Sequence, residues 1–169
     1  DALGTSCGAV VVIDPRTGRL RVMVSSPSYN PNVVETNFGR IEKIRADCAP
    51  ASPLLNRASQ GLYPPGSTFK VVTASAALDS GRFTPSSTFY DPGYCIEYGD
   101  RVNNYDTSSP FGTVTLARAM QHSINSVFCN IGKALGGLRL VSKMKRFGFY
   151  SVPPLETPVN ERAISGLYN

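Results

Sequence analysis

Tyr63-Pro64-Pro65-Gly66-Ser67-Thr68-Phe69-Lys70 is the stretch from which the rest of the chain is read. Two prolines and a glycine stop whatever precedes them. Beyond them Val71, Ala74, Ala77 and Leu78 recur at three- and four-residue spacing until Gly81. The pattern predicts a helix over about 67–80 with Ser67 at its N-terminus and a glycine stop. Ala74, Ala76 and Ala77 let neighbouring elements approach closely, as a helix at a domain centre requires. Ser67 and Lys70 then share one face, with a hydroxyl in reach of an amine. Serine attacks poorly until its proton is removed, and lysine removes it only when neutral. The amine must therefore fall from about 10.4 toward working pH, a change worth about 4 kcal/mol that burial or a second cation supplies. At a helix N-terminus the Ser67 N–H lacks an intrahelical partner and the dipole favours negative charge, which suits an oxyanion. A capping serine with a solvated first-turn lysine is the commoner meaning of these four residues taken alone, so the context has to decide.

Upstream, Gly8 to Ile13 and Leu20 to Val24 are β-branched runs around the turn Asp14-Pro15-Arg16-Thr17-Gly18, which predicts an antiparallel hairpin over 8–24. Ser25 to Asn32, with Pro27, Asn30 and Pro31, leaves the sheet as a loop. Residues 33–47 read as a short helix or an excursion, and Pro50 to Pro53 closes a polar segment. Downstream, Pro85, Asp91-Pro92-Gly93, Gly99-Asp100 and Ser109-Pro110 break residues 84–111 into loops and short strands. Thr115 caps a helix from Leu116 to about Gln121, a second runs from Ser126 to Leu135, and a basic third spans Leu138 to Arg146. The tail after Val152 carries three prolines and reaches Leu167-Tyr168-Asn169 without a closing element, as if interrupted.

Composition excludes several classes. With 169 residues and 41% hydrophobic side chains the chain suits one compact core rather than two, and its 15 glycines and 13 prolines are dispersed as turn punctuation. The net charge of +5 is concentrated in Lys133, Arg139, Lys143, Lys145 and Arg146. No aromatic residues alternate with them as base-stacking platforms, so they read as a solvated helix face and no nucleic acid is expected. Cys7, Cys48, Cys95 and Cys129 are too far apart for a C-x-x-C site and His122 is the only histidine, so neither a metal nor a cofactor is expected. Two disulfides or buried free thiols both remain open for these cysteines. No apolar run is long enough to span a bilayer, and Asp1 to Gly4 lack signal-peptide character. His122 reads as a packing or surface residue, and Cys129 as a small core residue.

Asn56-Arg57-Ala58 followed by the Tyr63–Lys70 segment resembles the nucleophile region of the penicillin-binding proteins, where N-R-A precedes Y-x-P-G-S-x-x-K. The Gly8–Gly18 hairpin and the Ser25–Asn32 loop are similar to that family's first hairpin and its P-S-[YF]-[DN]-P-N exit. Ser123-Ile124-Asn125, with Phe128, Gly132, Leu135 and Gly136 after it, resembles the S-x-N motif and its helix. The match is nearest to class B members. Pro153 to Pro158 and Glu161 to Tyr168 look like the actinobacterial PbpA-type branch.

The resemblance implies an α+β transpeptidase fold of the penicillin-binding and serine β-lactamase type, an antiparallel sheet packed with helices and incomplete in this chain. Residues 1–169 would be the N-terminal part of one domain, with a helical S-x-N region over about 115–147. The implied roles are Ser67 as nucleophile and, through its backbone N–H, part of the oxyanion hole; Lys70 as base; Ser123 as proton relay; and Asn125 as holder of the lysine and the substrate carbonyl. The third motif, K-[TS]-G, is absent, since no lysine precedes Thr-Gly or Ser-Gly. Its lysine would be the second cation beside Lys70. The implied activity is peptidoglycan D,D-transpeptidation. Its partners would be stem peptides, β-lactams and the rest of the domain, on the extracytoplasmic face of the bacterial envelope with a membrane anchor upstream. A D,D-carboxypeptidase, a serine β-lactamase and a β-lactam sensor share the nucleophile segment. Class D β-lactamases also use S-T-F-K but carry S-x-V as second motif, so Asn125 argues against them.

Overall fold

The computed structural model describes residues 3–167, so the readings made for Asp1, Ala2, Tyr168 and Asn169 lie outside the described residues. The described residues divide into two compact units, one holding those up to 63 with 152–165 and the other holding 64–151 with those beyond 165.

In the first unit β1 (Gly8–Ile13) and β2 (Leu20–Ser26) form the expected antiparallel hairpin, Gly8 opposite Ser26 and Val11 opposite Met23. Asp14 closes its turn, its Oδ1 accepting from Arg16 N at 3.0 Å and its carbonyl from Gly18 N at 2.8 Å. The ambiguous stretch 33–47 contains one short helix, α1 (Gly39–Glu42), whose Ile41 is buried. Arg57 of the N-R-A triplet is buried as well. Its guanidinium donates to Ser52 O at 3.1 Å and Ala51 O at 2.6 Å, and its backbone N–H to Ser25 Oγ at 3.0 Å, so the triplet ties the 51–52 loop to the end of β2. Residues 152–165 hold one single-turn 3₁₀ segment at Val159–Glu161.

The second unit is built around α2 (Lys70–Asp79), which packs on α4 (Asn125–Leu135) and α5 (Gly137–Arg146). The α2 stripe differs from the expected one. Val72, Thr73, Ala76 and Ala77 are buried together with Lys70, whereas Val71 and Leu78 face outward. The helical period is retained, but the buried face is rotated toward Val72, Thr73 and Ala76, and Lys70 remains buried with it. Ala77, fully buried, belongs to the core with Ile124, Val127 and Ile131. Between the helices lie β3 (Thr88–Asp91), β4 (Tyr94–Glu97), β5 (Asp100–Asn103), β6 (Gly112–Thr115) and α3 (Leu116–Gln121). Thr115 caps α3 as expected, accepting from Arg118 N at 3.2 Å.

The architecture is α+β with antiparallel pairing throughout the described residues. Among the described residues the strands pair as three two-stranded ladders, β1–β2, β3–β6 and β4–β5, the β4–β5 hairpin lying in sequence between β3 and β6. Two expectations are corrected. All four cysteines are bridged, Cys7 to Cys48 and Cys95 to Cys129, so Cys129 is half of a link tying β4 to α4 rather than a small core residue. The basic face of α5 is not uniformly solvated either. Lys143 is buried and pairs with Asp79 of α2, which also accepts from Arg146 at 2.9 Å. Lys133 pairs with Glu97 of β4 at 2.8 Å.

Candidate active site

The sequence puts Ser67 at the start of an α-helix; the structure puts it in a 3₁₀ turn, Gly66–Phe69, that leads into α2. Gly66 takes a φ of +55°, open to glycine at little cost, and Thr68 returns both its N–H and its hydroxyl to Pro65 O. Three residues per turn eclipse i and i+3, which brings Ser67 directly over Lys70. Ser67 Oγ lies 3.2 Å from Lys70 Nζ, and the serine itself is exposed. Among the described residues the Ser67 N–H has no hydrogen-bond acceptor.

Ser123 and Asn125 arrive from the corner between α3 and α4. His122 ends α3 and Ser123 adopts the left-handed conformation at φ +54°, unusual for a residue with a Cβ. That reversal turns both the hydroxyl and the carbonyl of Ser123 toward the lysine. Lys70 Nζ is 2.8 Å from Ser123 Oγ, 2.6 Å from Ser123 O and 2.5 Å from Asn125 Oδ1. Ser123 Oγ is also 2.9 Å from Ser67 Oγ, closing a triangle of two hydroxyls and an amine.

The chemistry of the partners orients the amine. The Ser123 carbonyl and the Asn125 amide oxygen can only accept, so once the amine is neutral they claim both of its N–H bonds. The lone pair is then left toward the hydroxyls. Lys70 is 9% exposed, and burial pushes its pKa down. The side chains facing it, Ser67, Ser123, Asn125 and the Phe128 ring 5.7 Å away, carry no charge, so the expected second cation is not among them.

All four residues singled out from the sequence therefore meet at one place. His122 does not join them; it is exposed and packs on Phe111 with ring centroids 4.9 Å apart. The sequence reading missed the support behind Asn125. Asn125 Nδ2 donates to Asn103 O at 2.7 Å, Asn104 Oδ1 accepts from Ser126 N at 3.1 Å, and Asn104 in turn bonds the fully buried carboxylate of Asp91. The one signal for Asp91 was Asp-Pro-Gly, which reads as a turn and nothing more.

The sequence model of the family described as "Penicillin binding protein transpeptidase domain" matches residues 8–163. Peptidoglycan D,D-transpeptidase PbpA of Mycobacterium tuberculosis is 38% identical over 94% of this chain and 34% of its own length. For peptidoglycan D,D-transpeptidase MrdA of Escherichia coli the figures are 36%, 87% and 23%. The chain thus spans about a third or less of these curated relatives. Among solved structures, the D,D-transpeptidase domain of a peptidoglycan glycosyltransferase from Eggerthella lenta superposes with a TM-score of 0.79 at 36% identity, over 94% of this chain and 37% of that one. The penicillin G acyl-enzyme complex of penicillin-binding protein A from M. tuberculosis gives 0.75 at 36% identity, over 90% and 38%. With a family model covering most of its length and this likeness in sequence and fold, the chain belongs to the penicillin-binding protein transpeptidase family, in its class B branch.

Proposed function

We propose that this chain carries the nucleophile, the base and the second motif of a peptidoglycan D,D-transpeptidase. The observation that carries this reading is the Lys70 amine, buried and held by two obligate acceptors with its remaining valence toward Ser67 Oγ. In the first half-reaction Lys70 takes the Ser67 proton while Oγ bonds to the carbonyl carbon of the penultimate D-alanine of a stem peptide. The Ser67 N–H offers one oxyanion donor. As the C–N bond breaks, the proton returns from Lys70 through the Ser123 hydroxyl to the departing D-alanine amine. An amine of a neighbouring stem then attacks the acyl-enzyme, loses its proton along the same path and restores Ser67. A β-lactam enters by the same first step and leaves Ser67 acylated. The Asn125 amide, on this reading, also binds the peptide carbonyl of the stem.

The reading includes a partner segment. Val10, Val11, Val12, Val22 and Val24 are exposed, and alternate residues of a strand point to opposite faces, so the β1–β2 hairpin is apolar on both sides. Strands bearing the missing K-T-G would cover it and bring the second cation. Placement at the outer face of the cell membrane, with an anchor outside these residues, belongs to the same reading.

The test is intact-mass analysis of the complete domain after incubation with a labelled penicillin. One adduct on Ser67 is expected, absent in Lys70→Ala although that variant stays folded. An unmodified Ser67 removes the reading. Release of the adduct to water with free D-alanine from a model peptide, and no cross-linked product, would make it a carboxypeptidase. Stable acylation with no turnover of stem peptides would make it a sensor.

A further inference from the structure

Asp91 is fully buried at the end of β3, and among the described residues no cation pairs with it. Its carboxylate is held by donors alone. Oδ1 accepts from Gly93 N at 2.8 Å, Asn104 Nδ2 at 2.9 Å and Ser126 Oγ at 2.5 Å; Oδ2 accepts from Asn104 Nδ2 and Phe111 N, both at 2.9 Å. Each oxygen faces at least one backbone N–H, so neither can be replaced by an NH₂ group without opposing two donors. The position therefore requires an anion, and a buried anion with so many donors fixes whatever those donors belong to.

They belong to the two segments that frame Asn125. Asn104 follows Asn103, whose carbonyl accepts from Asn125 Nδ2, and Ser126 follows Asn125 itself. Asn104 Oδ1 accepts from Ser126 N, so residues 103–104 and 125–126 are joined twice, with Asp91 bonded to both sides. The Asn103 carbonyl decides which end of the Asn125 amide faces Lys70, because a carbonyl bonds only the NH₂ end. The oxygen is thereby aimed at Lys70 Nζ.

We infer that Asp91 is a positioning residue for the reaction: through Asn104 and Ser126 it sets the amide orientation of Asn125 and so the bonding of Lys70. The kinetic part rests on the transpeptidase reading; the geometric part does not. Two variants test it in the complete domain, Asp91→Asn, which keeps the shape and inverts donors, and the milder Asn104→Ala. The Asn125 oxygen favours the ammonium form of Lys70, so its loss lowers the Lys70 pKa. An NMR titration of the Lys70 ε-methylene is expected to show that fall in the folded protein of both variants. The acid limb of penicillin acylation should move to lower pH while its plateau drops about 10- to 100-fold. A purely structural Asp91 would lower the melting temperature and leave both the titration and the limb of the folded fraction in place, which would overturn the inference. If native Ser67 is not acylated at all, the transpeptidase reading fails and the Lys70 titration alone decides the role of Asp91: a fall upholds it and an unchanged pKa ends it.

Discussion

Ser123 carries two loads that can be separated, one conformational and one chemical. Its φ of +54° places a residue with a Cβ in the left-handed region, and its hydroxyl lies 2.9 Å from Ser67 Oγ and 2.8 Å from Lys70 Nζ. Ser123→Ala removes the hydroxyl and keeps the strain; Ser123→Gly removes both. A left-handed residue with a side chain costs about 1–2 kcal/mol, and the greater freedom of glycine in the unfolded chain returns roughly 0.5–1 kcal/mol. The glycine variant should therefore be more stable than the alanine variant by about 1 kcal/mol, or about 2–4 °C in melting temperature for a domain of roughly 150–250 residues. Both lose the hydroxyl, so both should acylate more slowly by the same factor, about 100-fold or more for a lost proton-transfer partner. Thermal melts in parallel with stopped-flow acylation by a chromogenic cephalosporin measure the two effects on the same samples. Equal melting temperatures would refute the conformational argument. Native acylation rates in both variants would take the Ser123 hydroxyl out of the proton path.

Two further outcomes follow from the support around the site. Reduction of Cys95–Cys129, or its replacement by Cys95→Ala with Cys129→Ala, frees a loop of 34 residues and should cost about 3–4 kcal/mol on a chain-entropy estimate, read as a lower denaturation midpoint. Because this bridge ties β4 to α4 beside Asn103 and Asn125, acylation should slow as well. For Asp91, burial opposes the charged form, but the bonds from Ser126, Phe111, Gly93 and Asn104 outweigh it and hold the carboxyl below its ordinary value of 3.8. A carboxyl with a depressed folded pKa contributes stability that is complete above the unfolded value and is lost as pH falls through the folded one. The stability gap between the native protein and Asp91→Asn should therefore be constant near neutral pH and narrow below about pH 4; a gap unchanged from neutral to low pH would show that folding does not depress the Asp91 pKa, and a gap that widens toward pH 4 would show that Asp91 is protonated in the fold.

Features that depend on neighbours in the chain were legible in advance. The hairpin around Asp14–Gly18, the Thr115 cap, the glycine stops and the face shared by Ser67 and Lys70 are set by dihedral preferences and by the periods of helix and strand, which act over a few residues. The order of S-x-x-K and S-x-N also lies in the chain, and through the family resemblance it names the four residues that meet at Lys70. Three things needed the folded molecule. The buried face of α2, which holds Lys70 with Val72, Thr73 and Ala76 while Val71 and Leu78 point outward, is set by packing, and an amphipathic pattern broken by alanines and a lysine does not specify that angle. The pairing of four cysteines is a matter of which segments pack together, here β4 against α4 and residue 7 against residue 48. The Asp91 hub joins residues 91, 104, 111 and 126, whose donors and acceptor meet only after β3, the loops beyond β5 and α4 have packed. An aspartate before Pro-Gly has the composition of a turn; that it is a buried anion holding the second motif depends on contacts formed across 35 residues of chain.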